Sequence, residues 1–198
     1  AVIFAARSID CIGPRNEDNI DLFVAYRQGD GQWGPPVNLG ATLNTPFEDR
    51  SPFLHPDQRT LYFSSDGHGG LGELDVFVTR RLGDSWTEWT PPVNLGKDIN
   101  GPGYDWGYRI STDGRTAYFS GYEPGWKEEL YQIAVPEAHR PVPVATVSGT
   151  VTRRSGAPAD ALLIINDLES GEEVARVRPD PQSGQYFITL PVGQRYSY

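Results

Sequence analysis

Pro35-Pro36-Val37-Asn38-Leu39-Gly40 recurs without change as Pro91-Pro92-Val93-Asn94-Leu95-Gly96, fifty-six residues later. The register continues without a gap. Asn44 answers Asn100, Pro46 answers Pro102 and Asp49 answers Asp105, while Asp57, Arg59, Thr60, Tyr62, Phe63 and Ser64 answer Asp113, Arg115, Thr116, Tyr118, Phe119 and Ser120. Over positions 35–64, fifteen of thirty residues equal their counterparts. Self-similarity at such a period marks supersecondary units that stack on like neighbours, so the repeat sets the architecture before any single residue sets chemistry.

Working outward, the repeat predicts strands at 51–55, 60–65, 74–79 and 89–95, then at 108–111, 116–120 and 130–135, with earlier ones at 2–4 and 20–26. The turns 56–59 and 112–115 carry Asp57 and Asp113 as caps, and Gly114 tolerates positive φ. Gly 22 and Pro 17, spread along the chain, suit many short strands and leave little room for helix. Four-stranded sheets stacked radially make a propeller, typically of four to eight blades. One whole unit and two partial ones cannot close a ring. The expectation is an excerpt of a longer polypeptide, whose last blade takes its outer strand from chain before Ala1.

Residues 136–145 (PEAHRPVPVA) hold three prolines and read as a stiff extended linker. Beyond it the period changes. Strands at 147–152, 161–167, 173–178 and 185–190, with turns at Ser155-Gly156, Ser170-Gly171 and Ser183-Gly184, predict a small antiparallel sandwich. The fold class is therefore all-β: part of a propeller over 1–135, a linker over 136–145, and a β-sandwich over 146–198.

The net charge of -9 disfavours nucleic acid and anionic bilayers as partners. No run approaches the roughly 18 apolar residues of a membrane-spanning helix. Cys11 is the only cysteine, so no internal disulfide forms, and the charged residues before it do not suit a lipid-bearing cysteine.

The pattern from Trp33 to Val78, W…PPVNLG…LNTP…D…PDQRTLYFSSDGHGGLGELDVFV, resembles the PD40-type (WD40-like) propeller repeat. The second copy departs from it after Ser120, where Gly-Tyr-Glu-Pro-Gly-Trp replaces Ser-Asp-Gly-His-Gly-Gly. The stretch from Val147 to Tyr196 is similar to carboxypeptidase-regulatory-like, transthyretin-like domains. A propeller followed by such a sandwich resembles the centre of OmpA-family envelope lipoproteins, some of which serve type IX secretion and gliding. That resemblance implies a bacterial envelope location at the periplasmic face of the outer membrane and envelope proteins as partners. Peptidoglycan association would come through a domain outside this sequence.

Trp33 and Trp89 precede PPVNLG in both copies, and that recurrence predicts core packing. Tyr104, Trp106, Tyr122 and Trp126 differ, because the first copy has no aromatics there. They are expected in loops as the candidate ligand- or partner-binding residues. The acidic clusters Asn16-Glu17-Asp18-Asn19-Asp21 and Asp66…Glu73-Leu74-Asp75 offer oxygen ligands of the kind Ca²⁺ takes, but not the spacing of the twelve-residue Ca²⁺ loop. Solvated turns are the simpler reading. Ser111-Thr112-Asp113-Gly114-Arg115-Thr116 is also near the sialidase Asp-box, itself a structural turn.

His55, His68 and His139 have no Ser or Cys in a nucleophile-elbow context. No catalytic residue, metal ligand or cofactor is assigned. The expectation is a non-enzymatic scaffold that docks protein partners in an envelope assembly. The alternatives are a glycan-binding propeller using the four aromatics, and a glycoside hydrolase of sialidase-like class.

Overall fold

The structure is a computed structural model that describes residues 1–13, 19–29, 31–122 and 127–198. It is all-β. The described residues form small antiparallel sheets, none closed, with one 3₁₀ turn and no α-helix. The chain divides into two compact units, Ala1–Pro141 and Val142–Tyr198.

Unit one holds three sheets. The first is β1 (Val2–Ala6), β2 (Asp21–Ala25) and β3 (Val37–Asn38), in that order. The second is β4 (Asp49–Leu54), β5 (Thr60–Ser65), β6 (Asp75–Arg80) and β7 (Val93–Asn94). In the third, β9 (Thr116–Tyr122) lies between β8 (Tyr104–Ile110) and β10 (Glu129–Ala134). The three share one pattern. Cross-strand rings stack at the same place in each: Phe4 on Phe23 at 6.1 Å, Phe63 on Phe77 at 6.0 Å, and Phe119 on Tyr131 at 5.3 Å. The β2 sequence Asp-Leu-Phe-Val-Ala thus repeats as Asp-Val-Phe-Val-Thr in β6, at a spacing of fifty-four because the intervening loops differ in length.

Alternation along each strand sends side chains to opposite faces, and the middle sheet uses both. One face packs on the first sheet in a cluster of Leu22, Val24, Leu39, Leu43, Leu61, Phe63, Phe77 and Trp89. The other packs on the third sheet through Tyr62, Val76, Val78, Leu95, Ile99, Tyr108, Ile110, Ala117, Phe119 and Val135. Six positions of the first cluster reappear in the second by the repeat register, Leu22 as Val76 and Leu43 as Ile99 among them. Each such fully buried Leu, Val or Phe contributes about 1.5–3 kcal/mol, which favours face-to-face stacking over a sheet left alone.

Both copies place a bulge between their first two strands. Ser51 (φ 53°) and Gly107 (φ 68°) occupy the same bulge position, and Gln58 (φ 60°) and Gly114 (φ 71°) the same turn position. The left-handed backbone is therefore demanded by the fold, and the first copy meets it with strained residues.

Trp33 corrects the expectation of a shared core role. Trp89 is buried between the first two sheets, with Trp86 beside it at 6.5 Å and its Nε1–H donating to the Trp86 carbonyl at 2.8 Å. Trp33 is 55% exposed. It bridges Arg27 beyond the end of β2, and among the described residues no further sheet covers the matching face.

The proline-bearing segment is not uniformly extended. A 3₁₀ turn at Glu137–His139 folds it against unit one, where the His139 carbonyl accepts from Tyr62 Oη at 2.8 Å and the Arg140 carbonyl from Arg80 Nη2 at 2.9 Å. Unit two pairs β11 (Val144–Thr150) with β14 (Gln185–Pro191), and sets β12 (Leu163–Asp167) between β13 (Glu173–Val177) and β15 (Tyr196–Ser197). Its buried apolar side chains are Val144, Ile165, Pro179 and Leu190 among the described residues. Asp167 and Asp180 close its turns by accepting from backbone N–H groups two and three residues on.

Candidate functional site

The repeated polar residues meet in a frame at the seams between sheets. Asn44 bridges β2, its Oδ1 accepting from Leu22 N at 2.8 Å and its Nδ2 donating to the Leu22 carbonyl at 2.9 Å. Asn100 does the same to Val76 of β6, at 2.8 and 3.0 Å. Both also donate to the side chain of the PPVNLG asparagine, Asn38 or Asn94, at 2.8 Å. That asparagine in turn donates to the Asp opening the neighbouring strand: Asn38 to Asp21 at 2.6 Å and Asn94 to Asp75 at 2.9 Å. Asp49 opens β4 and Asp105 is the second residue of β8, and their backbone N–H groups donate to the Ile20 and Leu74 carbonyls at 2.7 Å, joining one sheet to the next. This explains the six-letter repeat: its Asn-x-Gly core carries the hydrogen bonds that a buried seam needs.

Four buried carboxylates belong to this frame: Asp21, Asp49, Asp75 and Asp105. Burial raises the Asp49 carboxyl to about 7 against the hydrogen bonds of Ser65 and of Thr45, whose N–H and hydroxyl both donate to Oδ2. Burial also raises Asp21, opposed by Asn38 and the Ile12 N–H. Asp75 accepts from Leu71 N at 2.5 Å and Asp105 from Gly101 N at 2.6 Å. Amide donors meet Oδ2 of each of the four. Among the described residues no cluster of three or more His, Cys, Asp or Glu side chains could hold a metal. Of the acidic stretches considered for Ca²⁺, Asn16, Glu17 and Asp18 lie outside the described residues. Asp66 accepts from Glu48 N at 2.8 Å.

His55 and Asp57 are the nearest approach to an acid–base pair. His55 is fully buried with Nδ1 3.5 Å from Asp57 Oδ2. Burial opposes the Asp57 carboxylate, yet His55, the Thr60 and Arg59 N–H groups and the Thr60 hydroxyl hold it down at about 2. The second copy repeats the device with Ser111 donating to Asp113 at 2.5 Å. Serine thus supplies at the second turn the contact that histidine supplies at the first.

The aromatic candidates divide. Tyr104 and Trp106 lie within β8 and Tyr122 at the end of β9, not in loops, because the Asp105–Leu74 bond extends the strand back to the seam. Tyr104 and Tyr122 are paired across strands, exposed, with ring centroids 6.2 Å apart at 47°. Glu73 beside Tyr104 raises its phenol. Trp106 faces Arg50, whose guanidinium sits 5.4 Å from its ring. Trp126 lies outside the described residues. Beside Tyr122 opens a hollow of about 200 Å³ floored by Phe119, Tyr131, Ile99, Asn100, Gly101 and Asp105, with Lys97 and Asp98 at its side.

No protein-family model, curated protein or solved structure matches this chain. The repeat and its geometry carry the functional reading.

The hollow was not foreseen from the sequence. Its walls are repeat positions, and the register that pairs Phe63 with Phe119 and Leu43 with Ile99 was the available signal. In the first copy His68 fills the matching place.

Proposed function

We propose that this chain is a non-catalytic β scaffold of a bacterial cell-envelope protein, its three stacked sheets being blades of a PD40-type propeller and its second unit a carboxypeptidase-regulatory-like sandwich. One observation carries the reading. Tyr62 and Val76 of the middle sheet are completely buried by the third sheet, whereas their register counterparts Tyr118 and Leu130 on the third sheet are 44% and 75% exposed. A face built to the same pattern, lacking only its cover, is a docking face for a further sheet. The edge strand β10 adds to it, since β6 at the same place is paired with β7. The His55–Asp57 and Ser111–Asp113 turn locks and the amide-bound carboxylates support a role in holding rather than converting.

The test is retention of outer-membrane extract proteins on the immobilised chain, beside the Tyr118→Asp, Leu130→Asp double variant. A protein retained by the parent and released by the variant supports the scaffold reading. Equal retention by both, or none by either, refutes it. Turnover of aryl glycosides above background refutes its non-catalytic part.

A further inference from the structure

Arg59 and Arg81 stand opposite each other just beyond the paired ends of β5 and β6, where the Arg81 N–H donates to the Arg59 carbonyl at 2.8 Å. Opposed residues share a face, so both side chains leave the sheet on the same side. The loop after β6 then gathers them. Arg59 Nη1 donates to the Gly83 carbonyl at 3.2 Å, and Arg81 Nη1 donates to the next carbonyl, that of Asp84, at 3.1 Å. The Trp86 ring backs Arg81, its centroid 4.1 Å from the guanidinium carbon.

No ion pair balances the two guanidiniums. Those of unit one, among the described residues, are Arg50–Glu48, His55–Asp57 and Lys97–Asp98. Burial pushes the Arg81 guanidinium below its ordinary range, and Arg59 pushes it the same way, by more than Asp84 restores. Arg81 Nε, closed off from solvent, has no acceptor. The fold does not demand this arrangement. In the third sheet the same cross-strand place holds Arg115 and buried Val135, joined by the same hydrogen bond at 2.8 Å. Strand pairing is thus met there without a second cation. The pair in the middle sheet is also open to solvent: Arg59, Gly83 and Asp84 are exposed, and a Cβ added at Gly83 would meet nothing within 4 Å.

We propose that Arg59 and Arg81, held by the Gly83 and Asp84 carbonyls, form a binding site for a phosphate group. A guanidinium carries five N–H donors in a planar fork and each of these two spends one on its carbonyl, so donors remain for one anion to bridge both. A phosphate dianion matches two positive charges and shares three oxygens between them, whereas a carboxylate brings one charge and two oxygens. The net charge of -9 does not forbid a small anion, because at physiological salt exposed charges further away than roughly 8 Å are largely screened. Such a group arrives either as inorganic phosphate or as the monoester of a sugar.

The experiment is a titration of the full chain at about pH 8, where phosphate monoesters are close to doubly charged. The buffer holds neither phosphate nor sulfate, and the readouts are amide ¹H–¹⁵N spectra and the melting temperature. The probes are inorganic phosphate, glucose 1-phosphate and acetate. Expected with inorganic phosphate are saturable shifts at Gly83, Asp84 and Trp86 and a rising melting temperature, with acetate binding at least tenfold more weakly. Arg59→Gln, at an exposed position, and Arg81→Gln should each weaken phosphate binding at least tenfold, the loss of one charge-assisted contact. Arg115→Gln, at the same turn position of the next copy, should bind as the parent does. Glucose 1-phosphate binding tenfold or more tighter than inorganic phosphate supports a sugar monoester as the source, and equal or weaker binding supports inorganic phosphate. Non-saturating shifts, acetate binding as tightly as phosphate, full affinity in Arg59→Gln, or equal weakening by Arg115→Gln would each overturn the inference.

Discussion

Asp49→Asn isolates the most strongly shifted carboxyl of the seam. Asp49 is fully buried and raised from its ordinary 3.8 to about 7, first by loss of water and then by the nearby Asp21 carboxylate, with Ser65 and Thr45 opposing. A carboxyl raised on folding holds its proton better in the native state. Its stabilising effect is therefore complete below about pH 4 and disappears as pH rises through 7. At about 1.4 kcal/mol per pH unit over that interval, the loss amounts to about 4 kcal/mol, a large part of a domain's ordinary 5–15 kcal/mol. Asparagine accepts from the Thr45 N–H and hydroxyl through its carbonyl and offers its amide toward Ser65, but does not titrate. The assay is urea unfolding at pH 4, 5, 6, 7 and 8, read by tryptophan fluorescence, because all five tryptophans lie in unit one. The parent should lose about 3–4 kcal/mol relative to the variant between pH 4 and pH 8. Comparison with the variant cancels the contributions of Asp21, also raised, and of Asp57, which acts only as pH falls toward 2. A difference that stays constant with pH, or grows in the parent's favour as pH rises, would refute the argument.

Asn100→Ala removes the clamp on both backbone groups of Val76 and its bond to Asn94, leaving buried partners unmet. Urea unfolding should show a loss of about 3 kcal/mol. Ser51→Gly and Gln58→Gly replace strained residues with the one the second copy uses, and each should raise stability by about 0.5–1 kcal/mol in thermal unfolding. Gly114→Gln should do the reverse, since an added Cβ would stand 2.8 Å from Pro141 Cδ. Trp89→Ala should cost about 3–5 kcal/mol and Trp33→Ala under about 0.5 kcal/mol; similar losses would contradict the unequal covering of the two sheets.

The Tyr104–Tyr122 pair shows how site residues were partly legible. Their departure from the first copy singled them out, and the strand register brings them together. Trp106, singled out on the same ground, lies two residues further along the same face of β8 and meets Arg50 across the seam instead. The hollow escaped because its walls are ordinary repeat positions.

The repeated hexapeptide, the turn residues Asp57 and Asp113, and the β-branched and aromatic runs by themselves determined that the chain is all-β and that its sheets recur, since strand formation and turn closure depend on local sterics and hydrogen bonds. Whether Trp33 is covered as Trp89 is, and where the carboxylates of Asp49 and Asp105 find their donors, were decided only by tertiary structure. Burial depends on what a neighbouring sheet presents, and identical letters acquire different surroundings when one face of the stack has a neighbour and the other does not.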